Sequence, residues 1–152
     1  MELRIDHVAL PCFDREATEA FYGKGLGLPL AASGSDTSPV WGNRRFRYLA
    51  FALPGGTLLD FFALDGLARP EPDGVRPEPD VVRPEPDVLP VGVRHLALGV
   101  SSRAELEVFR ARLAAAGVWV SEPVEHQGGR LSYYCFDPNG HQLELTHRAE
   151  AP

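Results

Sequence analysis

The sequence predicts an α+β protein made of two tandem βαβββ modules. Three observations carry that prediction. IDHVAL (5–10) and VRHLAL (93–98) are twin apolar strands, each with a His at its third position. Each half also holds a glycine turn with a carboxylate six residues after its proline: Pro54-Gly55-Gly56 with Asp60, and Pro138-Asn139-Gly140 with Glu144. Between the halves lies a proline-rich repeat that neither helix nor sheet can continue.

In the first module (1–66), Asp14 is the predicted cap of a short helix. Ala17, Ala20 and Phe21 share one face of it, and Gly23 is the stop. Residues 33–44 are polar, with one weak strand signal at Val40-Trp41. RRFRYLAFAL (44–53) reads as a strand entering the Pro54 turn, and the acid-bearing strand around Asp60 follows. The connector (67–90) contains RPEPD three times at a seven-residue period, and those three units hold six of the chain's 14 prolines. A coiled coil is excluded, because two prolines per heptad block a helix interior. The segment reads as a semi-rigid, solvated spacer. In the second module (91–152), Ser102 and Glu105 form a capping box. Leu106, Phe109 and Leu113 follow at helical spacing, with Gly117 as the stop. RLSYYCF (130–136) is the strand before the second turn, and EHQGGR (125–130) reads as a glycine-rich loop suited to a lid.

The 152 residues carry a net charge of −6, half of it in the repeat. With no basic stripe, nucleic acid is excluded as the main partner. No apolar run approaches the roughly 18 residues of a membrane span. The opening residues lack an apolar h-region, and Cys12 and Cys135 form no CxxC pair, so a reduced cytoplasmic protein is expected.

Strand alternation places His7, Asp60, His95 and Glu144 opposite the greasy faces of their strands. Ala9, Ala97 and Gly99 leave space beside the two His. Two imidazoles and two carboxylates are a plausible donor set for one divalent ion: Zn, Ni, Fe, Co or Mn. Trp41, Trp119, Tyr48, Tyr133 and Tyr134 are available for stacking, although such aromatics are more often core. Arg130 is a candidate clamp for an anionic substrate, with a plain surface role as the alternative. His141 reads as an exposed turn residue, His147 as structural and Cys135 as an inert buried thiol.

The stretches HVAL with FYGKGLGLPL (7–10, 21–30), LLDFF (58–62), GVRHLALGV (92–100) and FDPNGHQLEL (136–145) resemble the vicinal oxygen chelate superfamily. That group contains glyoxalases, bleomycin-resistance proteins and ring-cleaving dioxygenases. The resemblance implies a cupped mixed sheet around a metal or ligand cleft, a small-molecule substrate and a homodimer. By position it implies His7, Asp60, His95 and Glu144 as metal ligands, with Glu144, or less readily Asp60, moving a proton. Trp41, Tyr48 and Arg130 are the candidate substrate contacts. Asp60 departs from the pattern, which more often has Glu, Gln or His, and its shorter reach argues for a water-mediated role or none. The leading expectation is a metal-dependent lyase or isomerase of the glyoxalase type. The alternatives are an Fe(II) ring-cleaving dioxygenase using His7, His95 and Glu144, with His126 and His141 as acid–base partners, and a non-catalytic drug binder.

Overall fold

The structure is a computed structural model that describes residues 4–67 and 95–148. The RPEPD repeat, and with it the expected spacer at 67–90, lies outside the described residues except for Leu67.

Each half forms a four-stranded mixed sheet. In the first, β1 (His7–Pro11), β2 (Leu30–Ser38), β3 (Arg44–Ala52) and β4 (Leu58–Leu64) lie in the order β1-β4-β3-β2. In the second, β5 (Leu96–Gly99), β6 (Val124–His126), β7 (Arg130–Phe136) and β8 (Gln142–Arg148) lie in the order β5-β8-β7-β6. The first strand of each half pairs in parallel with the last, and the remaining pairs are antiparallel. Both sheets are open. The registers coincide: Ala9 pairs with Asp60, and Ala97 pairs with Glu144.

The helix of the first half is α1 (Arg15–Glu19), which runs on as π-helical turns over Ala20–Gly25. Asp14 caps it, accepting the Ala17 N–H at 2.9 Å. Thr18, Phe21 and Tyr22 are buried, whereas Ala20 is exposed and the chain coils through Gly23. This corrects the expected face and stop, because the wider turns rotate Tyr22 inward. The Tyr22 ring lies 4.5 Å from Phe61 and 5.7 Å from Phe51. The second helix, α2 (Arg103–Ala115), buries Leu106 and Leu113. In its capping box, Ser102 Oγ accepts the Glu105 N–H, and the Glu105 carboxylate reaches back to Ser101 and to the Ser102 backbone.

Two further expectations change. Residues 30–38 form the nine-residue strand β2, while Val40 and Trp41 sit in a tight turn. An edge strand that faces solvent on both sides needs no apolar alternation, so its composition stays polar. Residues 124–126 are strand β6, and Gln127–Gly129 is the short turn into β7, so the expected lid loop is a hairpin.

One core joins the halves. Phe21, Tyr22, Leu26, Phe51, Leu59 and Phe61 cluster with Leu106, Leu113, Leu131, Tyr133, Leu143 and Leu145. Removing such side chains from water is the main favourable term in folding. Among the described residues, no helix is long and apolar enough to cross a membrane.

Candidate functional site

In the second sheet, the residues that face away from α2 form successive rows across the strands. Tyr134, Glu144 and Ala97 make one row, Val124, Ser132, Thr146 and Gly99 the next, and His126, Arg130 and Arg148 a third. Glu144 stands at the centre and is 1% exposed. A buried carboxylate must be compensated, and here several groups do so. His95 Nε2 lies 2.8 Å from Glu144 Oε2. Ser132 Oγ donates to Glu144 Oε1 at 2.5 Å and lies 2.9 Å from Thr146 Oγ1. An Arg130 terminal nitrogen is 3.5 Å from Oε1, and His126 Nε2 is 4.0 Å from it. Burial by itself pushes the Glu144 pKa up. The Ser132 hydrogen bond and the Arg130, His95 and His126 charges outweigh burial and hold the carboxyl below its ordinary range.

Tyr134 completes this wall. Its hydroxyl lies 3.3 Å from His126 Nε2, and its ring meets His95 edge-on at 6.1 Å. Burial raises the Tyr134 pKa, and the nearby Glu144 charge adds to it, so the hydroxyl keeps its proton. Ser132 was not a candidate from sequence, although strand alternation sets it on the Arg130 and Tyr134 face. Arg130 reaches back over the Ser132 row to Glu144, a contact that residue spacing does not reveal.

The first sheet repeats the pattern with different surroundings. His7 is about half exposed, at 51%, and its Nδ1 contacts Asp6 Oδ2 at 3.0 Å. That hydrogen bond raises the His7 pKa; desolvation opposes it, and the Asp60 and Asp6 charges add to the rise. Asp60 is raised by burial, only partly offset by the His7 charge. Its Oδ1 is buried without a hydrogen-bond partner. Around it the face is aromatic. Trp41 packs edge-on against Phe46 and Phe62, with ring centroids at 5.1 and 5.2 Å. Tyr48 lies against Gly34, where a Cβ would meet its ring at 3.1 Å.

The four candidate ligands therefore fall into two pairs. His95 touches Glu144, and His7 acts on Asp60. Among the described residues, no three His, Cys, Asp or Glu side chains converge closely enough to hold one ion. Trp41 and Tyr48 belong to the Asp60 face, and Arg130 belongs to the Glu144 face.

The other expectations resolve individually. His141 is part-buried, and its Nε2 lies 2.8 Å from the Pro11 carbonyl, so it joins the halves where an exposed turn residue was expected. His147 is part-buried, 3.4 Å from the Val100 carbonyl. Cys135 is buried, and burial pushes its thiol up to about 12.

Solved structures share this architecture. A glyoxylase/bleomycin resistance protein/dioxygenase domain from Frankia sp. EAN1pec is 23% identical, with a TM-score of 0.72, over 98% of this chain and 100% of that one. A glyoxalase family protein from Enterococcus faecalis is 27% identical, with a TM-score of 0.60, over 94% and 96%. A lactoylglutathione lyase from Agrobacterium tumefaciens is 23% identical, with a TM-score of 0.60, over 95% and 92%. No curated protein matches the chain. The family model matches residues 4–145, from before β1 through both helices and past Glu144 in β8, and the chain belongs to the Glyoxalase/Bleomycin resistance protein/Dioxygenase superfamily.

Proposed function

We propose that the protein is a divalent-metal-dependent lyase or isomerase of the glyoxalase type, acting on a small carbonyl-containing substrate. The observation that carries this reading is the 2.8 Å contact of His95 Nε2 with Glu144 Oε2, beside the small residues Ala97 and Gly99. Neutral imidazole and ionised carboxylate are ligands for Zn, Ni, Fe, Co or Mn. The orphaned Asp60 Oδ1 is an atom that a cation would satisfy. Each pair offers two donors, and catalytic sites commonly use three protein ligands. The set is completed in a homodimer, where the His7/Asp60 face of one chain meets the His95/Glu144 face of a second. Both cysteines are free and buried, which supports a reducing cytoplasmic location.

An ion held by His95 and Glu144 with His7 and Asp60 would supply Lewis acidity to polarise the substrate carbonyl. Glu144 takes the proton from the carbon beside that carbonyl and returns it to the neighbouring carbon. Ser132 and Arg130 hold the carboxylate ionised and aimed. Tyr134, protonated, is a donor toward a developing oxyanion. The test is metal analysis of the purified full chain after dialysis against each ion. Stoichiometric uptake that is lost in Glu144→Ala supports the reading, and absence of uptake by the wild type overturns it.

A second reading, an Fe(II) ring-cleaving dioxygenase, draws support from the His126–Tyr134 contact at 3.3 Å. That pair offers acid–base groups beside a set of His7, His95 and Glu144. Oxygen uptake with a panel of catechols under Fe²⁺ separates the two readings.

A further inference from the structure

We propose that His126, Arg130 and Arg148 form an oxyanion-binding strip that receives the anionic end of the substrate. The inference rests on Glu144 as the reacting centre and adds the chemical class of what reacts there.

The strip is a product of strand register. His126 on β6 pairs with Arg130 on β7, and Arg130 pairs with Arg148 on β8. Three basic side chains thus stand side by side on the Glu144 face. Like charges directly opposite each other across a sheet are destabilising. Among the described residues, Glu144 is the side-chain partner of Arg130, through one terminal nitrogen at 3.5 Å. Arg148 is exposed and has no side-chain partner among the described residues. Arg130 therefore faces Glu144, while Arg148, its cross-strand neighbour, is left without a carboxylate among the described residues. An added oxyanion relieves the repulsion, and the planar guanidinium fork suits carboxylate and phosphate alike.

Neighbouring groups support the same ligand. Tyr134 presents a hydroxyl within 3.3 Å of His126 Nε2, a further donor between the strip and Glu144. The equivalent row of the first sheet is Asp36, Phe46 and Leu64, which has no basic group. The basic row is thus particular to the half that holds the buried carboxylate. Because Arg130 also touches Glu144, the anionic group lies close to the reacting carbon. That geometry fits a short oxo or hydroxy acid, or its phosphate counterpart.

The experiment is calorimetric titration of the full chain with pyruvate, inorganic phosphate and the neutral ketone hydroxyacetone. Pyruvate or phosphate is expected to bind roughly tenfold or more weakly to Arg130→Gln and Arg148→Gln than to the wild type. Arg148→Lys should fall between, since it keeps the charge and loses the fork. Hydroxyacetone should not distinguish the variants. Preference for pyruvate assigns the strip to carboxylates, and preference for phosphate assigns it to phosphate esters. Melting temperatures of the ligand-free Arg148 variants at or above wild type would confirm that the fold is intact. Equal anion affinity across the wild type and the Arg variants overturns the strip, as does absence of anion binding. Glu144→Ala keeps or strengthens anion binding while losing the ion. Failed metal uptake with Arg148-dependent anion binding therefore overturns the metal reading alone. Metal uptake with Arg-independent anion binding overturns the strip alone.

Discussion

Asn139 Oδ1 accepts the backbone N–H of Phe13 at 2.8 Å, across 126 positions of sequence. The same side chain donates from Nδ2 to Thr18 Oγ1 at 2.9 Å, beside the Tyr22 hydroxyl, which donates to Asp137 Oδ2 at 2.9 Å. The Asp137–Gly140 turn of the second half thus seats itself on the start of α1. These groups are largely buried, so a broken bond leaves a desolvated partner behind. Asn139→Ala should lower the unfolding free energy by about 2–3 kcal/mol, and Tyr22→Phe by about 1 kcal/mol. Urea titrations followed by tryptophan fluorescence check both values. A neutral Asn139→Ala would show that the Asn139 hydrogen bonds add nothing to the joint between the halves.

Asp60 carries a pH signature of the opposite sign to that of a salt-bridged acid. Its folded-state pKa is raised above the ordinary 3.8 by burial. Its protonated form therefore favours the fold at low pH, and that contribution is lost as pH rises through the folded value. In metal-free protein, Asp60→Asn should melt higher than the wild type at pH 7. The difference should shrink as the pH falls toward 3.8. A constant difference across that range would mean that the carboxyl is not the cause.

Ser132→Ala removes the strongest group holding the Glu144 pKa down. The carboxyl titration, read by carbon NMR, should move to higher pH than in the wild type. With the depressed wild-type value, Glu144 contributes stability above its unfolded pKa, and that stability is lost as pH falls through the folded one. The variant should therefore lose stability at a higher pH on acidification. An unmoved titration would assign the depression to Arg130 and the two His instead.

Cys12 and Cys135 are both buried, and burial raises both thiols. Thiolate is the reactive form, so a disulfide-exchange reagent should label neither in the native state. Labelling should follow the unfolding rate as urea is added. Rapid labelling of one thiol in native buffer would reveal local opening at that strand or at the start of α1.

The paired modules were legible because each half needs one greasy face. The alternation in HVAL and LALG, and the spacing of Leu106 and Leu113, record it directly. Strand β2 was not legible, since Leu30–Ser38 is exposed almost throughout and carries no period. At the site, the register of His95 and Glu144 could be read from spacing. The difference between Asp60, with its unpartnered oxygen, and Glu144, with four supporting groups, could not. It arises from Ser132, Arg130 and His126, which strands β6 and β7 bring across from elsewhere in the chain. The Asn139 turn is a related case: its sequence signals a hairpin, while its side chain is committed to the opposite module.

The matching registers Ala9–Asp60 and Ala97–Glu144 let the two sheets be compared position by position. Where the second has Ser132 opposite Thr146, the first has Tyr48 opposite Phe62. Where the second has Arg130 opposite Arg148, the first has Phe46 opposite Leu64. One scaffold thus carries two linings of contrary solvent character. A molecule that touched both linings would be sorted end for end by partition, its oily part toward the aromatic face and its polar part toward the face with Ser132 and Arg130.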